Sequence, residues 1–594
     1  MSDRGPVSRR ETPRPSGARR RPAHRTERAA RRRRLRSLWI ASAAAIVLLL
    51  TRLSMVQVLD AGKYAAYAAG ETEQRVALPA TRGAIYDRNG NLLAVSVPTV
   101  EVVADDFQIA QPLSEARALA PILHVPATRL VPELSRRSGY VVLATNLSPK
   151  VASAGEALAL NGISYLPTSE RTSPDAPLFE PLLGGLNAAG AGVGGIEQMD
   201  NQLLAGRPGS EIVPEGPGGV ALPSAVHSVV APHQGSGLVL TIDEPLQVEV
   251  TKDLTRAMQL QHAHSGVAVV ESVQTGAILA MVDLVAGPHG VIEPAPSNLA
   301  VTEVYEPGSV MKLATYSYAL RDGVITPETP FRVPYSITIG GYTFYDAEFH
   351  PTQTMSASQM LAQSSNVGTI ELAHRLGLSQ LGAALDAFGF GRTTGLGWPG
   401  ESAGLLGTPA QWVGSDAGSI PIGTGEAVTP LQILDAYTAV ADGGVLRPPH
   451  LVAATVGASG RTAPLRIPAG HRVLSPAINR EVIPMLEGVV QDGTAVCAAI
   501  PGYAVAGKTG TAQVPSPKGY VPGDFNATFV GFVPAQAPRL SAIVTLNHPT
   551  IIYGGSVAAP VFQKVMEYAL GHFDIAPMGT AVPIPKACTA TSGA

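Results

Sequence analysis

The chain has 594 residues, several times the length of a usual domain, so two to four domains are expected. Hydrophobic residues make up 45% of the chain and charged residues 15%, a balance that excludes a wholly disordered protein. There is one long apolar run, so a membrane protein with many spans is excluded as well.

Residues 1–36 form a strongly basic N-terminal tail. They contain 14 arginines and three acidic residues, a formal charge of +11, which leaves −14 for the rest of a chain whose net charge is −3. A basic arm can bind nucleic acid, but this one directly precedes an apolar segment. We therefore predict a disordered cytoplasmic tail that lies against anionic lipid, with no nucleic-acid partner.

Residues 37–59 are apolar enough to cross a membrane. Of these 23 residues 17 are apolar, and a helix of this length measures about 34 Å, against a hydrocarbon thickness of about 30 Å. The preceding arginines predict that the N-terminus stays in the cytoplasm and that residues 60–594 lie outside it. A cleaved signal peptide is the alternative, but the nearest Ala-x-Ala pattern lies 18 residues beyond Leu50. The prediction is a single-pass anchor in the cell (inner, or cytoplasmic) membrane.

Residues 60–235 alternate between short helical and strand-like pieces broken by turn residues. A strand is predicted at 99–103 and a helix at 113–122. Residues 184–195 are rich in glycine and alanine and are predicted to form a loop, and residues 207–219 are rich in glycine and proline. This pattern predicts an extended α+β module, which can serve as a pedestal, rather than a compact enzyme core.

Residues 236–570 have the pattern of an α/β sandwich of about 330 residues, with strands at both ends and helices between them. Residues 571–594 are left as a C-terminal tail. The predicted strands are 238–242, a hairpin of 266–271 and 277–282, 527–533 and 540–546, and the predicted helices are 245–258, 310–321, 358–376 and 430–441.

Ser309 and Lys312 form a Ser-x-x-Lys pair after the turn residues Pro307 and Gly308. The apolar stretch that follows predicts a helix, so the two side chains would lie on one face, one turn apart. A serine hydroxyl is a weak nucleophile that needs a base, and a lysine can serve when burial or another cation lowers its pKa. The pair alone is a weak signal.

Two further motifs follow at long range. Ser364-Ser365-Asn366 begins 55 residues after Ser309, in a stretch predicted to be helical, and could by itself be a helix cap or a solvated face. Lys508-Thr509-Gly510-Thr511 begins 199 residues after Ser309, in a predicted strand where Gly510 would let a ligand approach the backbone. The order and spacing of the three motifs are specific to the penicillin-interacting serine acyltransferases.

More of the chain resembles one family within that group. Residues 300–309 (AVTEVYEPGS) resemble the nucleophile region of the class B penicillin-binding proteins, and are closer to the division-specific FtsI type than to the elongation type. Residues 505–513 (VAGKTGTAQ) resemble the third motif of that family. Residues 82–90 (RGAIYDRNG) and 195–197 (GIE) resemble the pedestal motifs of that family. The resemblance covers about residues 35–570. It implies a single transmembrane helix, an α+β pedestal (dimerisation-type) domain and a β-lactamase-like transpeptidase domain.

The resemblance also implies an activity and roles for individual residues. The chain is expected to be a monofunctional serine-type D,D-transpeptidase that cross-links peptidoglycan stem peptides, without a glycosyltransferase domain. Ser309 would be the nucleophile, Lys312 its base, Ser364 a proton relay and Asn366 a partner for a substrate amide. The segment that binds the terminal carboxylate would consist of Lys508, Thr509, Gly510 and Thr511, with an oxyanion hole between the backbone N–H groups of Ser309 and Thr511.

The expected partners follow from the same resemblance. They are stem peptides, β-lactams as covalent inhibitors, a SEDS glycosyltransferase of the FtsW type and other membrane proteins of the divisome. The resemblance implies that no metal or organic cofactor is required. His262 and His264 do not indicate a metal site, because they are two residues apart and have no evident third ligand. Asp87, Asp243 and Glu197 belong to resemblance motifs and are expected to make structural contacts.

Several alternatives stay open at this stage. A D,D-carboxypeptidase or a β-lactamase-type hydrolase would use the same residues, and a scaffold or β-lactam sensor could keep the fold. The residues do not distinguish septal from elongation synthesis or identify the acceptor amine. Cys497 and Cys588 are too few for a disulfide scaffold, but they could pair once outside the cytoplasm.

Overall fold

The computed structural model describes residues 24–60, 62–63, 73–174, 176–214, 228–516, 519–577 and 588. The chain divides into two compact units, residues 1–77 with 210–230 and residues 78–209 with 231–594. The first unit contains helix α1 (His24–Ser54), which continues as a π-helical turn over Met55–Leu59. By length and composition, Arg31–Val58 is a candidate membrane span.

Helix α1 begins earlier than the sequence analysis predicted. The disorder predicted for residues 1–36 is wrong for 24–36, which are helical. Arginine and alanine dominate that stretch and are good helix formers, and a helix propagates at little cost once the apolar segment has nucleated it. Residues 1–23 of that prediction lie outside the described residues.

The predicted pedestal consists of short elements built mainly around one sheet. Strand 99–103 and helix 113–122 are confirmed as parts of longer elements, whereas the glycine- and proline-rich stretch 207–219 includes a strand. The elements are β1 (Glu73–Leu78), β2 (Ile85–Tyr86), β3 (Leu92–Ala104), α2 (Pro112–Leu123), α3 (Ala127–Leu134), β4 (Val141–Leu147), α4 (Pro149–Glu156), β5 (Ile163–Thr172), α5 (Ala176–Leu183), α6 (Gly195–Met199), α7 (Asn201–Leu204), β6 (Gly209–Pro214) and β7 (Ser228–Val230). Strands β1, β6 and β7 form a separate small sheet.

A buried ion cluster holds this region together. The Glu197 carboxylate accepts from Arg82 Nε at 2.5 Å and from Arg171 Nε at 2.7 Å, and its side chain is 2% exposed. Arg82 Nη2 also donates to the Glu197 carbonyl at 2.8 Å, and Arg171 Nη1 donates to the Gly83 carbonyl at 2.9 Å. The structural role predicted for Glu197 is confirmed.

The second predicted domain has a larger set of elements. They are β8 (Gly237–Leu240), α8 (Glu244–Gln261), β9 (Ser265–Ser272), β10 (Ala277–Ala286), β11 (Ile292–Pro294), α9 (Leu299–Thr302), α10 (Lys312–Arg321), β12 (Pro330–Val333), β13 (Ser336–Ile339), β14 (Tyr342–Tyr345), β15 (Gln353–Ser356), α11 (Ala357–Ala362), α12 (Asn366–Leu376), α13 (Leu378–Ala387), α14 (Asp416–Ser419), α15 (Pro430–Ala441), β16 (Val445–Leu446), β17 (Val452–Val456), β18 (Thr462–Pro464), β19 (His471–Arg472), α16 (Pro476–Gln491), β20 (Ala506–Ser516), β21 (Gly519–Val533), β22 (Leu540–Asn547) and α17 (Gly554–His572).

The core of this domain is a six-stranded antiparallel sheet in the order β11-β10-β9-β22-β21-β20. On one face Phe529 of β21 packs edge-on against Phe562 of α17, with ring centroids 4.7 Å apart. On the other face Ser541 of β22 lies 2.7 Å from the Thr438 hydroxyl of α15, a helix whose residues are all buried. The sheet is therefore covered on both faces, as a sandwich requires, and β20 lies at one edge.

Most predicted elements of this domain are confirmed, with one informative error. The hairpin β9–β10 and helix α15 lie where they were predicted. The strand predicted at 238–242 begins one residue earlier and ends two residues earlier, and the helix predicted at 245–258 begins one residue earlier and ends three residues later. The helix predicted over 358–376 is wrong as one helix, because it breaks into α11 and α12 at Ser364, whose φ is +59°.

A second sheet crosses the boundary predicted at residue 235. Its order is β18-β17-β8-β2-β3-β4, with β5 also paired to β3, and β2 runs parallel to β8. Asn89 donates to both Asp87 and Asp243 across the same junction, which confirms the structural contacts predicted for the two aspartates. Cys497 and Cys588, whose pairing the sequence left open, form a disulfide with Cα atoms 5.3 Å apart.

Candidate active site

Ser309 lies in a 3₁₀ turn, Gly308–Met311, that runs directly into α10. Gly308 has φ +61°, and its N–H donates to the Gly423 carbonyl at 2.8 Å. A Cβ at Gly423 would come within 2.0 Å of the Gly308 carbonyl oxygen. Two glycines are therefore needed for the backbones to meet here, and this close approach fixes the turn that presents Ser309.

Lys312 begins α10 one turn after Ser309, as predicted, and its side chain is fully buried. Its Nζ donates to the Ser364 carbonyl at 2.6 Å and to Asn366 Oδ1 at 2.8 Å, and lies 3.4 Å from Ser364 Oγ. Burial lowers the pKa of Lys312 to about 7, although the negative charge of Asp346 opposes that shift. A substantial fraction of Lys312 is therefore uncharged near neutral pH and able to accept a proton.

Lys508 approaches the Ser364 hydroxyl from strand β20. Its Nζ donates to Ser364 Oγ at 2.9 Å and to the Thr509 carbonyl at 3.2 Å. Burial lowers the pKa of Lys508 well below its usual value, and the charge of Lys312 lowers it further. The Ser364 hydroxyl thus lies between two buried amines that resist being protonated together.

The Ser364–Asn366 segment is held by a second chain segment that the sequence analysis did not single out. Asp346 accepts from Ser365 Oγ at 2.8 Å and from the Val367 N–H at 2.9 Å. Asn366 Nδ2 donates to the Tyr345 carbonyl at 3.0 Å, so Tyr345 and Asp346, at the end of β14, fix the strained turn. An acidic residue in an irregular loop has no periodic signal that would have identified it.

The Lys508–Thr511 segment differs in detail from what the sequence indicated. Thr509 is 6% exposed and its hydroxyl lies 2.7 Å from that of Thr494, whereas Thr511 is half-buried. A Cβ at Gly510 would come within 2.7 Å of the Pro307 carbonyl oxygen. Gly510 therefore makes room for the turn that carries Ser309, rather than only for a ligand.

A buried acidic pair lies next to the nucleophile turn and was also missed. Glu306 accepts from the Gly425 N–H at 3.0 Å and from the Tyr520 hydroxyl at 2.9 Å, which ties the β20–β21 hairpin to the residues before Ser309. Both carboxyl oxygens of Glu426 lack a hydrogen-bond partner among the described residues. Burial raises the pKa of Glu426 well above its usual value, and the nearby carboxylates of Glu306 and Asp416 raise it further.

The histidines considered as metal ligands lie elsewhere. His264 stacks on His548 with ring centroids 4.6 Å apart. Over the part of the chain that the structure describes, no three histidine, cysteine, aspartate or glutamate side chains cluster as a metal site would require.

Comparison with known proteins places this geometry in a family. The penicillin binding protein transpeptidase domain matches residues 266–567, and the penicillin-binding protein dimerisation domain matches residues 77–240. Penicillin-binding protein PbpB of Mycobacterium tuberculosis is 33% identical over 569 residues, covering 88% of this chain and 83% of the relative. Peptidoglycan D,D-transpeptidase FtsI of Escherichia coli K12 is 33% identical over 512 residues, covering 84% of each.

Solved structures agree in fold. A peptidoglycan synthetase from Bifidobacterium adolescentis has a TM-score of 0.72 at 28% identity and covers 86% of this chain and 99% of its own. Penicillin binding protein 3 of Mycobacterium tuberculosis, complexed with aztreonam, has a TM-score of 0.67 at 29% identity and covers 86% and 100%. The predicted α+β fold, with a dimerisation-type and a transpeptidase domain, is confirmed. The chain belongs to the class B penicillin-binding proteins, in the group of FtsI and PbpB.

Proposed function

We propose that this protein is a peptidoglycan D,D-transpeptidase that works through an acyl-enzyme on Ser309. The observation that supports this best is the arrangement of two buried lysines around one serine hydroxyl, with Ser309 one helical turn from Lys312. Such a site supplies a base of suitable pKa and a path for the proton, which acyl transfer needs in both of its steps.

In the first step Ser309 Oγ attacks the penultimate D-Ala carbonyl of a donor stem peptide, and uncharged Lys312 accepts the hydroxyl proton. The oxyanion is stabilised by the backbone N–H groups of Ser309 and Thr511. As the C–N bond breaks, the proton passes through Ser364 to the leaving amine, and D-Ala departs. An acceptor amine then attacks the ester, its proton returns along the same path, and Ser309 is regenerated with the cross-link formed.

The other motif residues orient the donor. Lys508 and Thr511 attract the terminal carboxylate, with the buried Thr509 supporting Lys508, and Gly510 allows β20 to lie against the nucleophile turn. The side-chain amide of Asn366 is already held by Lys312 and by the Tyr345 carbonyl, so it can meet a substrate amide without reorganising. This arrangement favours a substrate with a carboxylate one residue beyond the reacting carbonyl.

The location and partners are part of the proposal. The chain is anchored by residues 37–59 in the cytoplasmic membrane, with its tail inside and its catalytic domain outside. It serves septal wall synthesis together with a SEDS glycosyltransferase of the FtsW type and other divisome proteins. The likeness to FtsI and PbpB supports the division role, and β-lactams are expected as covalent inhibitors because they combine a strained amide with a carboxylate.

The purified full-length chain should be incubated with a D-Ala-D-Ala donor peptide and an acceptor amine, and the products separated by mass. A transpeptidase gives the cross-linked product, a D,D-carboxypeptidase gives only the hydrolysed donor, and a scaffold gives neither. Benzylpenicillin should leave a stable adduct on the peptide containing Ser309. Repeated hydrolysis within seconds would instead identify a β-lactamase.

A further inference from the structure

A large cleft lies at the end of the central sheet, away from the catalytic centre. Its volume is 540 Å³, within the range of about 300–1,000 Å³ typical of ligand sites. It is lined by the β9–β10 turn, by Arg539 just before β22, and by Arg88 in the turn between β2 and β3. Strands β9 and β22 are separated from the edge strand β20 by β21 and, for β9, by β22 as well. The cleft is therefore distinct from the Ser309 site.

The charge of this cleft is one-sided. Among the described residues that line it, two are arginines and none is acidic. Burial lowers the pKa of His450, which also lines the cleft, so this imidazole is neutral at pH 7. The positive charge therefore comes from Arg88 and Arg539, both of which are exposed to solvent.

The nearest acids by sequence are already occupied. Asp87 accepts from the N–H groups of Asn89 and Asn91, each at 2.8 Å. Asp243 lies 2.9 Å from His572 Nε2 and also accepts from Asn89. Neither aspartate forms an ion pair with Arg88, and neither arginine of the cleft pairs with any acid in the described ranges.

The cleft combines these cations with a partly apolar wall. The Arg88 N–H donates to the Ile242 carbonyl at 2.9 Å, and its guanidinium lies 5.2 Å from the ring centre of Phe573, which limits its motion. Leu240 and Leu279 supply apolar wall, and Thr275 and Gln274 supply polar groups at the rim. This combination suits a short peptide with carboxylates and small apolar side chains, because guanidinium groups bind carboxylates in a bidentate manner.

We propose that the cleft between Arg88 and Arg539 is a second, non-catalytic site that binds a peptidoglycan stem peptide through its carboxylates. The choice of peptide rests on the proposed function, since stem peptides are the anionic substrates that this enzyme encounters. The site would hold a neighbouring peptide of the wall while Ser309 reacts with another.

The test uses the full-length protein in detergent, with Ser309 first acylated by benzylpenicillin so that the catalytic site is blocked. The probe is N-acetyl-L-Ala-D-Glu, which has two carboxylates and no D-Ala-D-Ala, and the matched uncharged probe is its diamide. Binding is followed by ligand-observed NMR. We expect saturable binding of the acid, at least tenfold weaker binding of the diamide, and about tenfold weaker binding of the acid to Arg88→Gln and to Arg539→Gln.

Arg461→Gln is the control variant, because Arg461 is exposed in the turn between β17 and β18 and does not line the cleft. It should bind the acid as the unmodified protein does. Equal binding by all three variants, equal binding of the diamide, or no saturable binding would overturn the proposal. Inorganic phosphate or phosphatidylglycerol vesicles that displace the dipeptide at equal or lower concentration would overturn the peptide assignment. The benzylpenicillin adduct on Ser309 reports the catalytic site independently, so the two proposals can fail separately.

Discussion

Two buried clusters of charged side chains in this protein have opposite designs. In the pedestal, the carboxylate of Glu197 lies between two guanidinium groups, so opposite charges meet. In the catalytic domain, Lys312 and Lys508 approach one neutral hydroxyl, and no carboxylate is hydrogen-bonded to either amine among the described residues. When opposite charges are buried together, both groups stay charged and the segments that carry them are held together. When two amines are buried together, the pKa of each amine falls, and an uncharged amine can act as a base.

The largest effect in the catalytic cluster is expected from replacing the nucleophile, Ser309. Ser309→Ala should abolish covalent labelling by benzylpenicillin, because it removes the only atom proposed to form the ester. Mass spectrometry of the tryptic peptide measures the adduct. Labelling that persists in this variant at an appreciable rate would assign the nucleophile to another residue. An unchanged thermal unfolding temperature would show that the variant is still folded.

The next effect concerns the base. Lys312→Ala should slow acylation by about 10²–10⁴-fold, since general-base assistance is worth this much and the amine also holds Ser364 and Asn366. Stopped-flow acylation with a fluorescent penicillin measures the rate. Lys252→Ala is the control, because Lys252 is exposed and pairs with Glu249 on the surface of α8. Equal rates for the two variants would exclude Lys312 as the base.

Breaking the pedestal cluster should affect stability rather than chemistry. Glu197→Gln leaves two buried guanidinium groups without their carboxylate, and removing one partner of a buried pair costs about 3–5 kcal/mol. Urea unfolding of the full-length protein should show this loss of unfolding free energy. The folded fraction should still acylate at the normal rate per molecule. A slowed rate at full folding would mean that the pedestal cluster acts on the active site.

A smaller perturbation tests the packing between β20 and the nucleophile turn. Gly510→Ala places a Cβ within 2.7 Å of the Pro307 carbonyl oxygen, so either β20 or the turn that carries Ser309 must shift. A displacement of about 1 Å in a catalytic group can cost about 10²-fold in rate, which is the loss of acylation rate expected here. Gly571→Ala is the matched control, since a Cβ there meets no atom within 4 Å. It should leave the acylation rate unchanged.

The catalytic motifs could be predicted from the sequence, whereas the long-range contacts that position them could not. The three motifs, the β9–β10 hairpin and helix α15 were predictable, because hydrophobic periodicity and motif spacing are local signals. The break at Ser364 was not, since it depends on a carboxylate 18 residues earlier that takes the Ser365 hydroxyl and the Val367 N–H. The Glu306–Tyr520 contact joins residues 214 apart and has no signature in either segment.

The smallest expected effect concerns Asp346. This carboxylate brings a negative charge near the buried amine of Lys312, so the catalytic cluster also contains one element of opposite charge. Its charge raises the pKa of Lys312 against the larger effect of burial. Since Lys312 must be uncharged to accept a proton, acylation should rise with pH through about 7 in the unmodified protein. Asp346→Asn removes the negative charge, so the pKa of Lys312 falls and the acidic limb of the rate profile moves to lower pH, by up to about one unit.

Other charges near Asp346 must be separated from this effect. His350 lies 3.0 Å from Asp346, and its hydrogen bonds to the Pro351 carbonyl and to Asp346 raise its pKa. On the β20 side, the charge of Lys312 lowers the pKa of Lys508. His350→Gln should therefore shift the limb less than Asp346→Asn does, and the exposed Asp492→Asn should not shift it. Asparagine keeps an acceptor for Ser365, so a loss of rate at every pH without a shift of the limb would mean that Asp346 acts by position alone. A shift to higher pH would contradict the sign of its charge effect.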